Sequence, residues 1–212
     1  MLKTKDKIMK KILALSDLML GLVTPLQFAM SQGQPSDGFY VGIDGSFDQL
    51  KDNINATPDN IYNADGPAVG LFAGYRQSQG RFTVAAEARY GYSFASEETT
   101  VAPIDGFALT HEFGAAVLPG FWVNDQLIVY GRIGFTNATL VDTISDIKFT
   151  NTDSAVEYGG GVEIFASETV SVRVEYTRVK FEGMPILTFN AINYSDWGIT
   201  RNRFRAAITT AF

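Results

Sequence analysis

The sequence predicts an all-β fold: an eight-stranded antiparallel up-and-down transmembrane β-barrel. Three observations predict it. Apolar and polar residues alternate with period two along eight segments, tight turns and long loops take turns between those segments, and one face of the alternation sets acids against arginines.

The expected strands are residues 38–48, 66–76, 81–94, 107–123, 126–138, 153–165, 169–180 and 201–212. In the first, Phe39, Val41, Ile43 and Phe47 oppose Tyr40, Gly42, Asp44 and Ser46. In the third, Phe82, Val84, Ala86, Ala88, Tyr90 and Tyr92 oppose Thr83, Glu87, Arg89 and Ser93. The seventh sets Val170, Val172, Val174 and Tyr176 against Ser171, Arg173, Glu175 and Thr177. In the eighth, Phe204, Ala206, Ile208 and Phe212 oppose Arg203, Arg205 and Thr209. No segment carries a helical apolar period, and no apolar run reaches the length of a membrane helix.

The connections after the second, fourth and sixth strands are turn-length. Those after the first, third, fifth and seventh (49–65, 95–106, 139–152 and 181–200) are long and rich in Asn, Asp, Thr and Pro. A membrane barrel puts short turns at one end and long loops at the other, with an even strand number bringing both termini to the turn end. A soluble sandwich has no such need.

The polar face separates a membrane barrel from a soluble one. It holds Asp44, Glu87, Glu112, Glu157, Glu163 and Glu175 against Arg76, Arg89, Arg132, Arg173, Arg203 and Arg205, with no lysine. Arginine suits fixed, bidentate pairing with carboxylates. A matched set of this kind predicts an enclosed interior closed by ion pairs, which leaves the apolar face to meet lipid.

Composition narrows the chemistry. The 212 residues are 46% apolar and 19% charged, which excludes a disordered chain and suits one domain. No Cys is present, so disulfides, thiolate metal sites and cysteine nucleophiles are excluded. The single His111 excludes a two-histidine metal site. A net charge of −6 argues against nucleic acid as a partner.

The N-terminus reads separately. Lys3, Lys5, Lys7, Lys10 and Lys11 precede a mostly apolar stretch, Ile12 to Val23, and a small-x-small triplet at Ala29-Met30-Ser31. This pattern predicts a signal peptide at 1–31, a linker at 32–37 and the barrel at 38–212, despite the charge of Asp17 within the apolar stretch. Cleavage there leaves 12 basic and 21 acidic side chains, net −9, of which the four long loops account for −8.

Several short motifs carry a family resemblance: Gly38-Phe39-Tyr40-Val41-Gly42, Gly70-Leu71-Phe72-Ala73-Gly74-Tyr75-Arg76, Val129-Tyr130-Gly131-Arg132-Ile133-Gly134, Tyr158-Gly159-Gly160-Gly161-Val162-Glu163 and Val172-Arg173-Val174-Glu175-Tyr176. By their order and spacing the chain resembles the OmpA-type and opacity-type eight-stranded outer-membrane barrels of Gram-negative bacteria. The resemblance implies a bacterial outer-membrane location with loops facing outward. It implies a monomer among outer-membrane lipid and lipopolysaccharide, and Phe212 as the signal read by the barrel-assembly machinery. Thr210 stands where the family often carries an aromatic.

Function is expected to be structural or surface-interacting, with envelope integrity or host contact through the acidic loops. A small low-conductance porin is the alternative, and a lipid-modifying enzyme is less favoured. Alternation puts His111 on the lipid face between Leu109 and Phe113 and Glu112 on the opposite face, so the two cannot form a catalytic dyad. The carboxylate couples Glu157–Glu163 and Glu87–Glu112 are expected to be held by arginine rather than to serve as acid and base. Gly159-Gly160-Gly161 lacks the helix and lysine of a phosphate cradle and is expected to make room for a ring. Trp122 is expected at the interface belt or packed on a turn, and Trp197 on the last outer loop. No catalytic residue, cofactor or metal is predicted.

Overall fold

The alternating segments become nine strand segments in a computed structural model that describes residues 37–53, 63–98, 104–144, 147–182 and 198–212. They are β1 (Gly38–Asn53), β2 (Asn63–Gln79), β3 (Phe82–Ser93), β4 (Ser96–Glu98), β5 (Ile104–Asn124), β6 (Leu127–Ile144), β7 (Ile147–Phe165), β8 (Val170–Glu182) and β9 (Gly198–Ala211). β3 and β4 are one stave interrupted at Phe94–Ala95, since both pair with β2 and with β5. The segments therefore make eight antiparallel staves. β1 pairs with both β2 and β9, which closes the sheet.

Register fixes the shape of that closure. A circuit from Phe39 passes through Tyr75, Ala86, Val117, Ile133, Tyr158, Arg178 and Asn202 and returns to β1 at Gln49. The return is displaced from Phe39 to Gln49, ten residues along the strand. With ordinary strand rise and spacing this stagger tilts the staves by about 40°.

The ladder runs further toward the loop end than alternation predicts. Pairing extends to Lys51↔Asn63, Asn53↔Gly198 and Ile144↔Ile147. The expected loop 139–152 is thereby mostly paired strand. Backbone pairing needs no apolar alternation, and the loop assignments relied on its loss. At the turn end, Gly80 has φ +59°, the left-handed conformation that a two-residue hairpin turn with Arg81 uses.

A β-bulge corrects one expected orientation. Thr110 and His111 together stand opposite the single residue Thr139, and Thr110 Oγ1 donates to Thr139 O at 3.1 Å. The extra residue shifts the alternation, so Leu109 and Glu112 both face inward. Leu109 therefore does not share the outer face with His111.

The two faces of the wall differ sharply. Phe39, Ile43, Leu71, Phe82, Ile133, Val174, Phe204 and Ile208 are exposed on the outside, while Asp44, Glu87, Arg132, Arg173 and Arg203 are buried inside. Toward the loop end the polarity reverses. There the outside carries Lys51, Asp65, Ser154, Arg178 and Lys180, and the inside packs Leu50, Ala64, Ala95, Leu109, Ala138, Val179, Phe181 and Ile199. An 18-residue strand such as β6 climbs on the order of 45 Å at this tilt, against an apolar band about 25 Å tall. The upper part of the wall is thus a collar with the polarity of a soluble barrel, set on a membrane-spanning one.

Candidate functional site

Among the described residues the charged side chains concentrate in the lumen. Inward positions of all eight staves deliver Asp44, Asp48, Glu87, Glu112, Glu157, Glu163 and Glu175 together with Arg76, Arg89, Arg132, Arg173, Arg201, Arg203 and Arg205, all buried. Seven acids face seven arginines, so the network they form is formally neutral.

The pairs join into a single network. At its turn end Arg76 bonds Glu163, which also lies 3.0 Å from Arg173 Nε and accepts from Ser171 Oγ at 2.5 Å. Arg173 Nη1 donates to Glu87 Oε2 at 2.6 Å, and Glu87 also accepts from Arg132 Nη1 at 2.7 Å and from Tyr40 OH at 3.2 Å. Arg132 Nε continues to Glu157 at 2.7 Å, and its Nη1 lies 3.6 Å from Glu175. Glu175 accepts from Arg205 Nη1 at 2.7 Å and from Tyr130 OH at 3.1 Å.

At the loop end Glu112 gathers Arg89, Arg201 and Arg203, while Arg201 Nη2 reaches Glu157 at 3.4 Å. Arg89 grips Asp44 through Nε at 2.8 Å and Nη2 at 2.7 Å. Arg203 grips Asp48 through Nε at 2.5 Å and Nη2 at 2.8 Å, and Ser93 Oγ donates to the same carboxylate at 2.7 Å. Buried ions are tolerated when each charge is matched and hydrogen-bonded in this way.

Rings and glycines make the network fit. The Arg173 guanidinium lies against Tyr40 (4.8 Å), Phe72 (5.2 Å) and Tyr130 (5.9 Å). A Cβ on Gly70 would stand 2.4 Å from Arg89 Nη2, and one on Gly91 would stand 2.5 Å from Arg89 Nη1. Gly161 leaves space for the Tyr130 hydroxyl in the same manner.

Apolar layers bound the charges at both ends. At the turn end Trp122 packs on Phe165 (5.1 Å), and its Nε1 donates to Ser78 Oγ at 3.2 Å. Ser78 Oγ donates in turn to Asp37 at 2.7 Å. Trp122 is thus part of the floor of the lumen and not of a lipid-facing belt. At the loop end the collar's apolar interior closes the other side.

All twelve charged residues named from the sequence lie in the network. Asp48 and Arg201 were missed, although they stand in phase with Asp44 and Arg203 on the same inward face. Phe212 ends the chain exposed, its N–H donating to Phe39 O at 2.9 Å. His111 lies on the outer face, its Nδ1 2.7 Å from Tyr90 OH and its ring 5.0 Å from Tyr92, across the wall from Glu112. Trp197, residues 1–31 and most of the long-loop acids lie outside the described side chains. Among the described residues no three His, Cys, Asp or Glu side chains are grouped to hold a metal.

A closed antiparallel barrel that is apolar outside and ionic inside is an integral membrane β-barrel, the arrangement that satisfies every strand backbone without an edge. The chain belongs to the outer membrane protein beta-barrel domain family, whose profile matches residues 18–202, and it is a bacterial outer-membrane protein. Among solved structures it is similar to Neisserial surface protein A (NspA), with 16% identity, a TM-score of 0.56, and 83% of this chain and 98% of that one covered. It is also similar to Ail of Yersinia pestis (11%, 0.47, covering 82% and 99%) and to OprG of Pseudomonas aeruginosa (11%, 0.44, covering 84% and 97%). A search of curated proteins finds no match.

Proposed function

We propose that this barrel is a closed, non-conducting wall element of the outer membrane that supports a surface-interacting set of loops. The observation that carries the reading is the continuous fourteen-residue ion network held between two apolar layers. Eight staves enclose only enough space for side chains, and here those side chains are large and mutually bonded. Ion transit requires a file of mobile water, which this packing displaces.

On this reading the protein is a monomer and not an enzyme. His111 is occupied by Tyr90 on the lipid side, and each of the seven buried carboxylates of the network is paired with arginine. The loops face the exterior and contact a host or surface partner. Residues 1–31 serve export, 32–37 link to the barrel at 38–212, and Phe212 is read by the assembly machinery. Planar-bilayer recording tests the central point: the wild type is expected to give no steady single-channel current. A steady, reproducible conductance would replace this reading with that of a small porin.

A further inference from the structure

Toward the loop end the wall stops closing. β8, β9, β1 and β2 stay paired up to Glu182↔Gly198, Asn53↔Gly198 and Lys51↔Asn63. β4, β5, β6 and β7 stay paired up to Glu98↔Gly106, Ile104↔Ile144 and Ile144↔Ile147. Between the two groups the pairing fails on both sides. β7 and β8 part after Glu157↔Val179, although β7 reaches on to Ile147 and β8 to Glu182. β2 and β4 keep the single pair Asp65↔Ser96, just above the break at Phe94–Ala95. With the stagger of this barrel, the parting, the break and the Thr110–His111 bulge fall within about 10 Å of one another in height. The described collar is thus two four-stranded sheets face to face, β8–β9–β1–β2 and β4–β5–β6–β7.

The inner faces of the two sheets are unequal. The first contributes Leu50, Val179, Phe181 and Ile199, whereas the second offers mainly Ala95, Ala138 and the partly buried Ala155. Bulky side chains resting on alanines separate without first having to disengage interdigitated neighbours. One group works against closure. Asp153 of β7 stands opposite inward Ala138, its Oδ1 accepts from Ser154 N at 2.8 Å, and its Oδ2 is buried without a partner. The β8-facing edge of β7 from Ile147 to Val156 has no described strand partner. Such an edge is tolerated in water and not in hydrocarbon, so the parting belongs above the membrane.

We propose that the collar is a hinged jaw. The sheet β4–β5–β6–β7 swings away from β8–β9–β1–β2 about the Asp65–Ser96 junction, opening between β7 and β8. The ring of staves around the ion network stays closed and acts as its base. The structure is the closed form, with Val179 and Phe181 fully buried. Opening turns the collar interior into an apolar cleft at the loop end. The proposal holds whether or not the lumen conducts, so its failure and that of the closed-lumen reading are distinguishable.

The test uses the full chain folded in lipid vesicles, with spin labels on pairs of introduced cysteines and inter-label distances read by pulsed electron resonance. Ser154→Cys with Lys51→Cys reports between the two sheets, and Ser154→Cys with Ser96→Cys reports within one of them. Val162→Cys with Val41→Cys samples β7 and β1 again, at membrane level. The first pair is expected to show a second, longer population, and the other two a single narrow distance. Phe181→Ala removes the largest side chain of the contact and raises the longer population at least about threefold. Asp153→Asn removes the buried unpaired charge and lowers it about threefold. Should Phe181→Ala lose the heat-modifiable migration of a folded barrel, Asp153→Asn carries the comparison alone, in the opposite direction. A single narrow distance for the first pair in both the wild type and Phe181→Ala overturns the proposal, as do variants that leave its populations unchanged. Equal broadening of the within-sheet pair overturns it in favour of fraying strands, and equal broadening of the membrane-level pair in favour of a barrel that moves as a whole.

Discussion

Arg203 and Asp48 are 155 residues apart in sequence, yet they form a two-point pair, Nε to Oδ1 at 2.5 Å and Nη2 to Oδ2 at 2.8 Å. They are also register partners across β1–β9, the seam where the last stave meets the first. The pair thus fastens the closure that makes the sheet a barrel. Asp48→Ala leaves Arg203 with only Glu112, which already receives two other arginines. Removing one partner of a buried pair typically costs about 3–5 kcal/mol. Urea unfolding in lipid vesicles is expected to show that loss for Asp48→Ala, and the double variant with Arg203→Ala is expected to cost less than the sum of the singles. Strict additivity would show that the pair is not coupled.

Arg173 is expected to resist replacement by lysine. Its Nη1 is bonded to Glu87, its Nε faces Glu163, and its plane is enclosed by Tyr40, Phe72 and Tyr130. An ammonium keeps the charge but loses the planar fork and the face-on ring contacts. Arg173→Lys is therefore expected to destabilise by about 2 kcal/mol, adding a lost charged hydrogen bond to a weakened ring contact. A wild-type unfolding midpoint for Arg173→Lys would show that charge alone suffices at this site.

Two glycines of adjacent staves offer a paired comparison. A methyl at Gly70 would meet Arg89 Nη2 at 2.4 Å and Asp44 Oδ2 at 2.8 Å, whereas one at Gly45 meets nothing within 4 Å. Gly70→Ala must displace Arg89 from Asp44, and overpacking of this kind costs about 1–3 kcal/mol. Gly45→Ala is expected to stay within about 0.5 kcal/mol of the wild type. Equal midpoints for the two variants would remove glycine's role as a niche for the network.

The family, the closed eight-stave fold and the outer-membrane location were legible because the barrel's two faces have opposite polarity over most of their height. Alternation identified Val170 to Thr177 and Arg203 to Thr209 correctly as wall, with Arg173, Glu175, Arg203 and Arg205 turned inward. The same rule failed where the physics changes. In the collar the polarity is inverted, so the expected strands stop short and Leu50 and Phe181 fall in expected loops although they form an interior. The Thr110–His111 bulge leaves no mark in composition, and it moved Leu109 inward. Asp48 and Arg201 lie at the boundary between the two regimes, where the expected strands were taken to end.

That boundary is itself measurable, because the chain has no cysteine and single thiols can be introduced without background. Outward Val174 and Ile43 sit in the apolar band, whereas outward Ser154 and Arg178 sit on the polar exterior above it. Lipid shields the first two positions from a charged, membrane-impermeant maleimide, and water exposes the second two. In whole cells Ser154→Cys and Arg178→Cys are expected to label readily, and Val174→Cys and Ile43→Cys to remain unlabelled. Asp125→Cys and Glu168→Cys, on turns of the opposite end, are expected to label only after the outer membrane is permeabilised. Inward Leu109→Cys stays protected throughout, because it belongs to the packed interior of the collar. Labelling of Asp125→Cys in intact cells would invert the barrel in its membrane. Protection of Ser154→Cys would instead place the collar within the lipid, and the reversal of polarity along the wall would then need another cause.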